Sequence, residues 1–173
     1  MRTFLFLFFL IFSNILIAQF CEEQIITACE VCTPTAVYST DLNGDGHIDI
    51  LFAAIGDRKI GWYENDGNGN FSEQKIIAIH ASRVESVFAA DIDSDGDIDV
   101  LSASRLDNTI AWYENDGNGN FSEQRIISTQ ATGVNNVYAA DLDEDGDVDV
   151  LASAQLDNTI AVSYTHLTLP TKA

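Results

Sequence analysis

Three stretches of this chain place acidic or amide side chains at alternate positions ahead of a glycine. They are Asp41-x-Asn43-x-Asp45-Gly46-x-x-Asp49, Asp91-x-Asp93-x-Asp95-Gly96-x-x-Asp99 and Asp141-x-Asp143-x-Asp145-Gly146-x-x-Asp149. Oxygen donors at positions one, three and five of a short loop can fold around a hard cation such as Ca2+, which takes roughly 6–8 oxygens. Glycine at position six permits the sharp turn such a loop needs. Position seven offers a backbone carbonyl, from His47, Asp97 or Asp147, and the aspartate at position nine closes the shell. Without a cation, four carboxylates held this close repel one another by on the order of several kcal/mol. Mg2+ uses fewer carboxylates and more water, so the expected cofactor is Ca2+, up to three ions. The first loop is the weakest of the three, because Asn43 removes a charge.

These are not EF-hands. Position twelve is Phe52, Ser102 or Ala152, where an EF-hand carries a bidentate glutamate. The bland alternative is a solvated acidic turn without metal, and the recurrence of the pattern three times in register argues against it. The three histidines, His47, His80 and His166, share no repeat position. No Ser-His-Asp set, paired catalytic acids or open metal site is evident, so the expectation is a non-enzyme.

The elements that must hold the loops repeat as well. Trp62 through Gln74 recurs letter for letter as Trp112 through Gln124, and Leu106 through Ala111 as Leu156 through Ala161, always fifty residues on. Each period reads as four short strands. In the second copy these are expected at Val87–Asp91, Ile98–Ser104, Thr109–Glu114 and Phe121–Ile127, separated by the acidic loop, by Leu106-Asp107-Asn108 and by Asn115 to Asn120. Asp-Gly and Asn-Gly pairs supply the positive φ of tight hairpins. In the strand after the first loop, Ile48, Ile50 and Phe52 point one way and Leu51 and Ala53 the other. A strand apolar on both faces is sandwiched between sheets, as in the four-stranded blades of a β-propeller. Ala89, Ala90, Ala139 and Ala140 suit an inner strand near a crowded axis. Trp62, Tyr63, Trp112 and Tyr113 read as core between blades, with a ligand-stacking platform as the alternative. The expected class is all-β: about three blades of a propeller, an open arc and not a closed ring.

The charge is -19, from 27 acidic against 8 basic residues. This excess repels nucleic acid and anionic membrane surfaces. Residues 1–18 read as a cleaved signal peptide: Arg2, an apolar run from Phe4 to Phe12, and a small residue, Ala18, before Gln19. A membrane anchor is the alternative, but Ser13 and Asn14 break the run short of the ~20 apolar residues a span needs. The mature chain is therefore expected outside the cell and not inserted in a membrane. Cys29 and Cys32 can pair and leave Cys21 odd, or Cys21 can pair with either. At the other end, Val162 to Ala173 leaves the repeat in one step, where Trp-Tyr-Glu-Asn is due. This tail resembles the translation of a transposon-type sequencing adapter, which makes the expected native repeat region 19–161 and the chain a fragment of a longer protein.

An Asp-x-Asp-x-Asp-Gly-x-x-Asp loop between two short strands resembles the FG-GAP and VCBS repeat family, to which the integrin α-subunit propeller belongs, and specifically its exported bacterial type. The resemblance covers roughly Gln19 to Ala161. It implies Ca2+ between the first and second strands of each blade. It also implies an extracellular scaffold for adhesion or binding of a protein or polysaccharide ligand. The rival reading is an accessory propeller of an exported polysaccharide-degrading enzyme whose catalytic part lies elsewhere.

Overall fold

The computed structural model describes residues 24–26 and 33–165. The expected leader at 1–18, the cysteines Cys21, Cys29 and Cys32, and the tail from 166 onward lie outside the described residues.

Alternation of apolar and small side chains, cut at regular intervals by Asp, Asn and Gly, gives eleven strands in three antiparallel sheets among the described residues. The first sheet is β1 (Pro34–Thr40), β2 (Asp49–Ala54), β3 (Lys59–Tyr63) and β4 (Lys75–Ile79), in that order. The second is β5 (Val84–Ala90), β6 (Asp99–Ser104), β7 (Thr109–Tyr113) and β8 (Arg125–Ser128). The third contains, among the described residues, β9 (Val134–Ala140), β10 (Asp149–Ala154) and β11 (Thr159–Ser163). The expected four-stranded blade is thus seen twice, and the third sheet has three described strands. Among the described residues no helix is long and apolar enough to cross a membrane.

Strand existence and order follow the repeat, but boundaries shift. The fourth strand of the second sheet starts at Arg125 and not at Phe121. Phe121 instead makes an isolated bridge to Asn115, and the Ser122 N–H donates to the Glu114 carbonyl at 2.8 Å, so these residues close the hairpin loop before the ladder begins. Strand β11 pairs on through Val162 and Ser163, opposite Leu151 and Val150. The ladder is made by backbone groups, so it outlasts the sequence repeat by two residues.

The sheets stack face to face. Leu51, Ala53, Ile60 and Trp62 of the first meet Val84, Val87, Ala89, Val100 and Tyr113 of the second. Leu101, Ala103 and Ile110 of the second meet Val134, Val137, Ala139, Val150 and Ala152 of the third. Each large side chain buried this way contributes roughly 1.5–3 kcal/mol. The strands that open each sheet pack against one another, β1 against β5 and β5 against β9. Their aromatic residues touch in series: Tyr38 to Phe88 at 4.8 Å between ring centres, Phe88 to Tyr138 at 4.4 Å. The array is open, with Val37 of the first sheet and Tyr138 and Ile160 of the third exposed. Ile48 departs from its expected apolar face and is exposed as well. Its counterparts Ile98 and Val148 pack into the two cores between sheets, whereas Ile48 faces the side of the array that carries no described sheet.

The repeats also compensate internally. Gly61 faces Phe52 across β2 and β3, where the later sheets pair Ala111 with Ser102 and Ala161 with Ala152. A Cβ at Gly61 would stand 2.8 Å from Phe52 Cζ and 2.6 Å from the Lys75 carbonyl oxygen. Gly61→Ala is therefore expected to cost about 1–3 kcal/mol by overpacking. Phe52→Ser, which gives the pairing of the second sheet, costs stability itself because it removes a buried ring stacked on Tyr63, but the double variant should lose less than the sum of the two single losses in urea unfolding. An additive or worse double variant would show that ring and methyl do not compete for the same space.

Candidate metal centres

Each acidic loop joins the first strand of a sheet to the second: β1 to β2, β5 to β6 and β9 to β10. The backbone there visits the left-handed region twice, at position four (Gly44, Ser94, Glu144) and at position six (Gly46, Gly96, Gly146). Nothing crowds a Cβ at the three position-six glycines, so glycine is needed there for its φ of 88–99° and not for space.

The carboxylates shape their own loops. At position one, Asp41 Oδ2 accepts the Gly46 N–H at 2.8 Å, Asp91 Oδ2 the Gly96 N–H at 3.0 Å and Asp141 Oδ2 the Gly146 N–H at 3.1 Å. At position five, Asp45, Asp95 and Asp145 each turn Oδ1 onto the N–H of position seven, at 2.8, 2.9 and 3.0 Å. Position nine lies deepest. Asp49, Asp99 and Asp149 are buried, and each has both carboxylate oxygens on backbone N–H groups. Asp99 takes Ile92 at 3.0 Å and Asn115 at 2.8 Å; Asp49 takes Leu42 at 3.0 Å and Asn65 at 2.9 Å; Asp149 takes Leu142 at 3.1 Å and Thr165 at 3.4 Å. Burial pushes the Asp99 carboxyl up to about 6 against the opposing pull of those two N–H groups, and raises Asp49 for the same reason.

Carboxylate oxygens converge in two of the loops. One from each of Asp91, Asp93 and Asp99 lies within 4.8 Å of the others, and the same holds for Asp141, Asp143 and Asp149. An ion about 2.4 Å from each oxygen sets an upper separation of about twice that, so both triads fit a calcium-sized cation. Each oxygen that accepts an N–H keeps a second lone pair for a metal. In the first loop Asn43 replaces the central acid. Its Nδ2 donates to Glu64 Oε1 at 2.8 Å and to Asp45 Oδ2 at 3.1 Å.

Of the expected donors, positions one, three and nine converge in the second and third loops, while position five is held in its turn outside those triads. At position seven the side chains cover the hairpin loop of their own sheet: a Cβ at Gly67 would meet the His47 ring, and one at Gly117 the Asp97 carboxylate. Sequence reasoning missed Asn65 and Asn115, whose backbone N–H groups tie the hairpin to position nine. It also missed Glu64 and Glu114, which flank position three. Glu64 pairs with Lys75 at 2.7 Å and Glu114 with Arg125, and these two cations lie 4.5 and 4.9 Å over the rings of Trp62 and Trp112. The exact recurrence of Trp-Tyr-Glu-Asn was the available signal.

The FG-GAP-like repeat matches residues 41–102 and again, overlapping, 91–152, each match running from one acidic loop through the next. The chain belongs to the FG-GAP-like repeat family. No curated protein matches it. Among solved structures this FG-GAP-like chain is similar to a lectin of Agrocybe aegerita described as recognising non-reducing terminal N-acetylglucosamine. The TM-score is 0.52 at 23% identity, over 67% of this chain and 32% of the lectin. It is also similar to the V. cholerae biofilm matrix protein Bap1, with a TM-score of 0.37 at 21% identity, over 75% of this chain and 26% of that one. The chain thus spans about a third of the lectin's length. The lectin likeness supports the blade architecture. Trp62, Tyr63 and Tyr113 are buried between or within blades, and Trp112 is half-buried, so these aromatics are packing residues first.

Proposed function

We propose that this chain is a calcium-binding, extracellular, non-enzymatic scaffold whose blades present a surface for adhesion or for binding a protein or carbohydrate. The observation that carries the reading is the carboxylate triad at the same place in two successive blades, Asp91-Asp93-Asp99 and Asp141-Asp143-Asp149. The centre of the first loop, at Asp41, Asn43 and Asp49, uses an amide oxygen in place of one carboxylate. The bound ion supplies charge neutralisation and rigidity. The chain's own part is to hold each loop open by N–H bonds before the ion arrives, which lowers the ordering cost of binding. Export through the N-terminal leader fits millimolar calcium outside the cell.

The test is isothermal titration of the full chain with CaCl2. The expected result is saturable binding at up to three sites with dissociation constants of about 10⁻⁴–10⁻³ M, the range of extracellular modules. The first loop should be the weakest. Folded protein that evolves no calcium-dependent heat at millimolar metal would overturn the reading.

A further inference from the structure

We propose that Asn115 is a positioning residue for two metal loops at once, so that the first centre is completed by the hairpin of the second blade. This rests on the calcium reading above and goes beyond it, because that reading gives each centre only residues of its own blade.

Asn115 is polar yet only 2% exposed. Its Nδ2 donates to the Ile98 carbonyl of its own blade's loop at 2.8 Å and to the Leu42 carbonyl of the preceding blade's loop at 2.7 Å. Its Oδ1 accepts the Gly119 N–H at 3.2 Å, so the side chain also fixes the hairpin around it. Leu42 stands between Asp41 and Asn43, positions one and three of the first centre. Holding its carbonyl therefore holds the backbone from which both donors project.

The rest of the hairpin reinforces this clasp. A Cβ at Gly119 would stand 2.5 Å from Trp62 Cζ2 and 3.5 Å from Asn43 Cβ, and one at Gly44 would stand 3.3 Å from the Gly117 carbonyl oxygen. The second blade's loop thus lies directly on the first blade's acidic loop. The equivalent Asn65 shows the contrast. Among the described residues its Nδ2 donates to the Ile48 carbonyl of its own loop and to no loop of another blade, and a Cβ at Gly69 would meet nothing within 4 Å. Two hairpins of identical sequence therefore do different work, according to whether a loop lies beneath them.

The coupling acts through order. With Leu42 clasped, the metal-free first loop samples few conformations. With the clasp removed, ion binding must also fix the loop, and the affinity falls. One buried hydrogen bond of ordinary strength corresponds to roughly a five-fold change.

The experiment is a calcium titration of the full 15N-labelled chain by NMR, following the Gly46, Gly96 and Gly146 amides, each of which donates to the position-one carboxylate of its own loop. In the unaltered chain, no response of any of the three would remove the calcium reading itself, and the proposal with it. Given a response, Asn115→Ala should weaken the Gly46 and Gly96 midpoints roughly five-fold each and leave Gly146 unchanged. A shift of Gly96 alone would confine Asn115 to its own blade, and equal shifts of all three would mean general loosening; either overturns the proposal. Should Asn115→Ala fail to fold, Gly119→Ala decides, since its methyl group pushes the hairpin off Trp62. The Gly46 midpoint should then weaken with Gly146 unmoved, and an unchanged Gly46 overturns the proposal. A measurement without substitution closes the test. The Asn115 side-chain amide signals should move in the Gly96 step and again in the Gly46 step, and movement in the Gly96 step alone overturns it.

Discussion

Asp99→Ala should destabilise the chain by about 3–5 kcal/mol even with a chelator present, several times the effect of Asp95→Ala. The two aspartates lie four residues apart in one loop and look alike in sequence. Asp95 is exposed and makes one local turn bond, to the N–H of Asp97 at 2.9 Å. Asp99 is fully buried, and its two oxygens take the N–H groups of Ile92 and Asn115, from opposite sides of the blade's end. Truncation leaves buried donors without a partner, at roughly 1–3 kcal/mol each. Burial of the carboxylate opposes this gain, as its rise to about 6 shows, so removing the charge recovers a part of the loss. Asp99→Asn should fall between the two, because its Oδ1 can accept one N–H while its Nδ2 faces the other donor. Urea unfolding in EDTA measures all three variants. Equal midpoints for Asp95→Ala and Asp99→Ala would show that position nine is a metal ligand only and not a staple.

That difference marks what was legible in the sequence. The fifty-residue period, the three acidic loops and the alternating strands are local patterns, and the blades and their loops stand where those patterns put them. Contacts between periods were not legible. Asn115 meets Leu42 across 73 positions, and nothing in the letters separates it from Asn65. Trp62 and Trp112 share the same thirteen-residue context, yet Trp62 is buried under Gly119 and Trp112 is half-buried. Ile48 is exposed and Ile98 packed for the same reason: identical strands acquire different surroundings from their place in the stack. The late start of β8 is a different failure. Phe121 to Gln124 has strand-like alternation, but the Ser122 hydroxyl accepts the Glu114 N–H at 3.0 Å and holds that stretch in the loop closure.

Calcium should raise the stability of the whole chain by about 2–5 kcal/mol at 2 mM over the same protein in EDTA. An ion that binds only the folded loops stabilises by RT ln(1 + [L]/Kd) per site, and dissociation constants of about 10⁻⁴–10⁻³ M give roughly 0.7–1.8 kcal/mol for each of three sites. For a domain of this size the midpoint of thermal unfolding should rise by roughly 10 °C. The charge of -19 makes a control necessary, because any salt screens self-repulsion and stabilises a strongly acidic chain. NaCl at matched ionic strength should therefore produce a small rise, and MgCl2 one well short of that with CaCl2, since Mg2+ resists giving up its water to a site of several carboxylates. The clasp adds a pattern to the rise. Protection from hydrogen exchange should extend from Gly46 into the Asn115–Asn120 hairpin of the next blade, because the Leu42 carbonyl ties the two together. Equal stabilisation by CaCl2 and by matched NaCl would mean that the acidic loops interact with ions only as a diffuse cloud, and that the converging carboxylates of the second and third blades hold no specific cation.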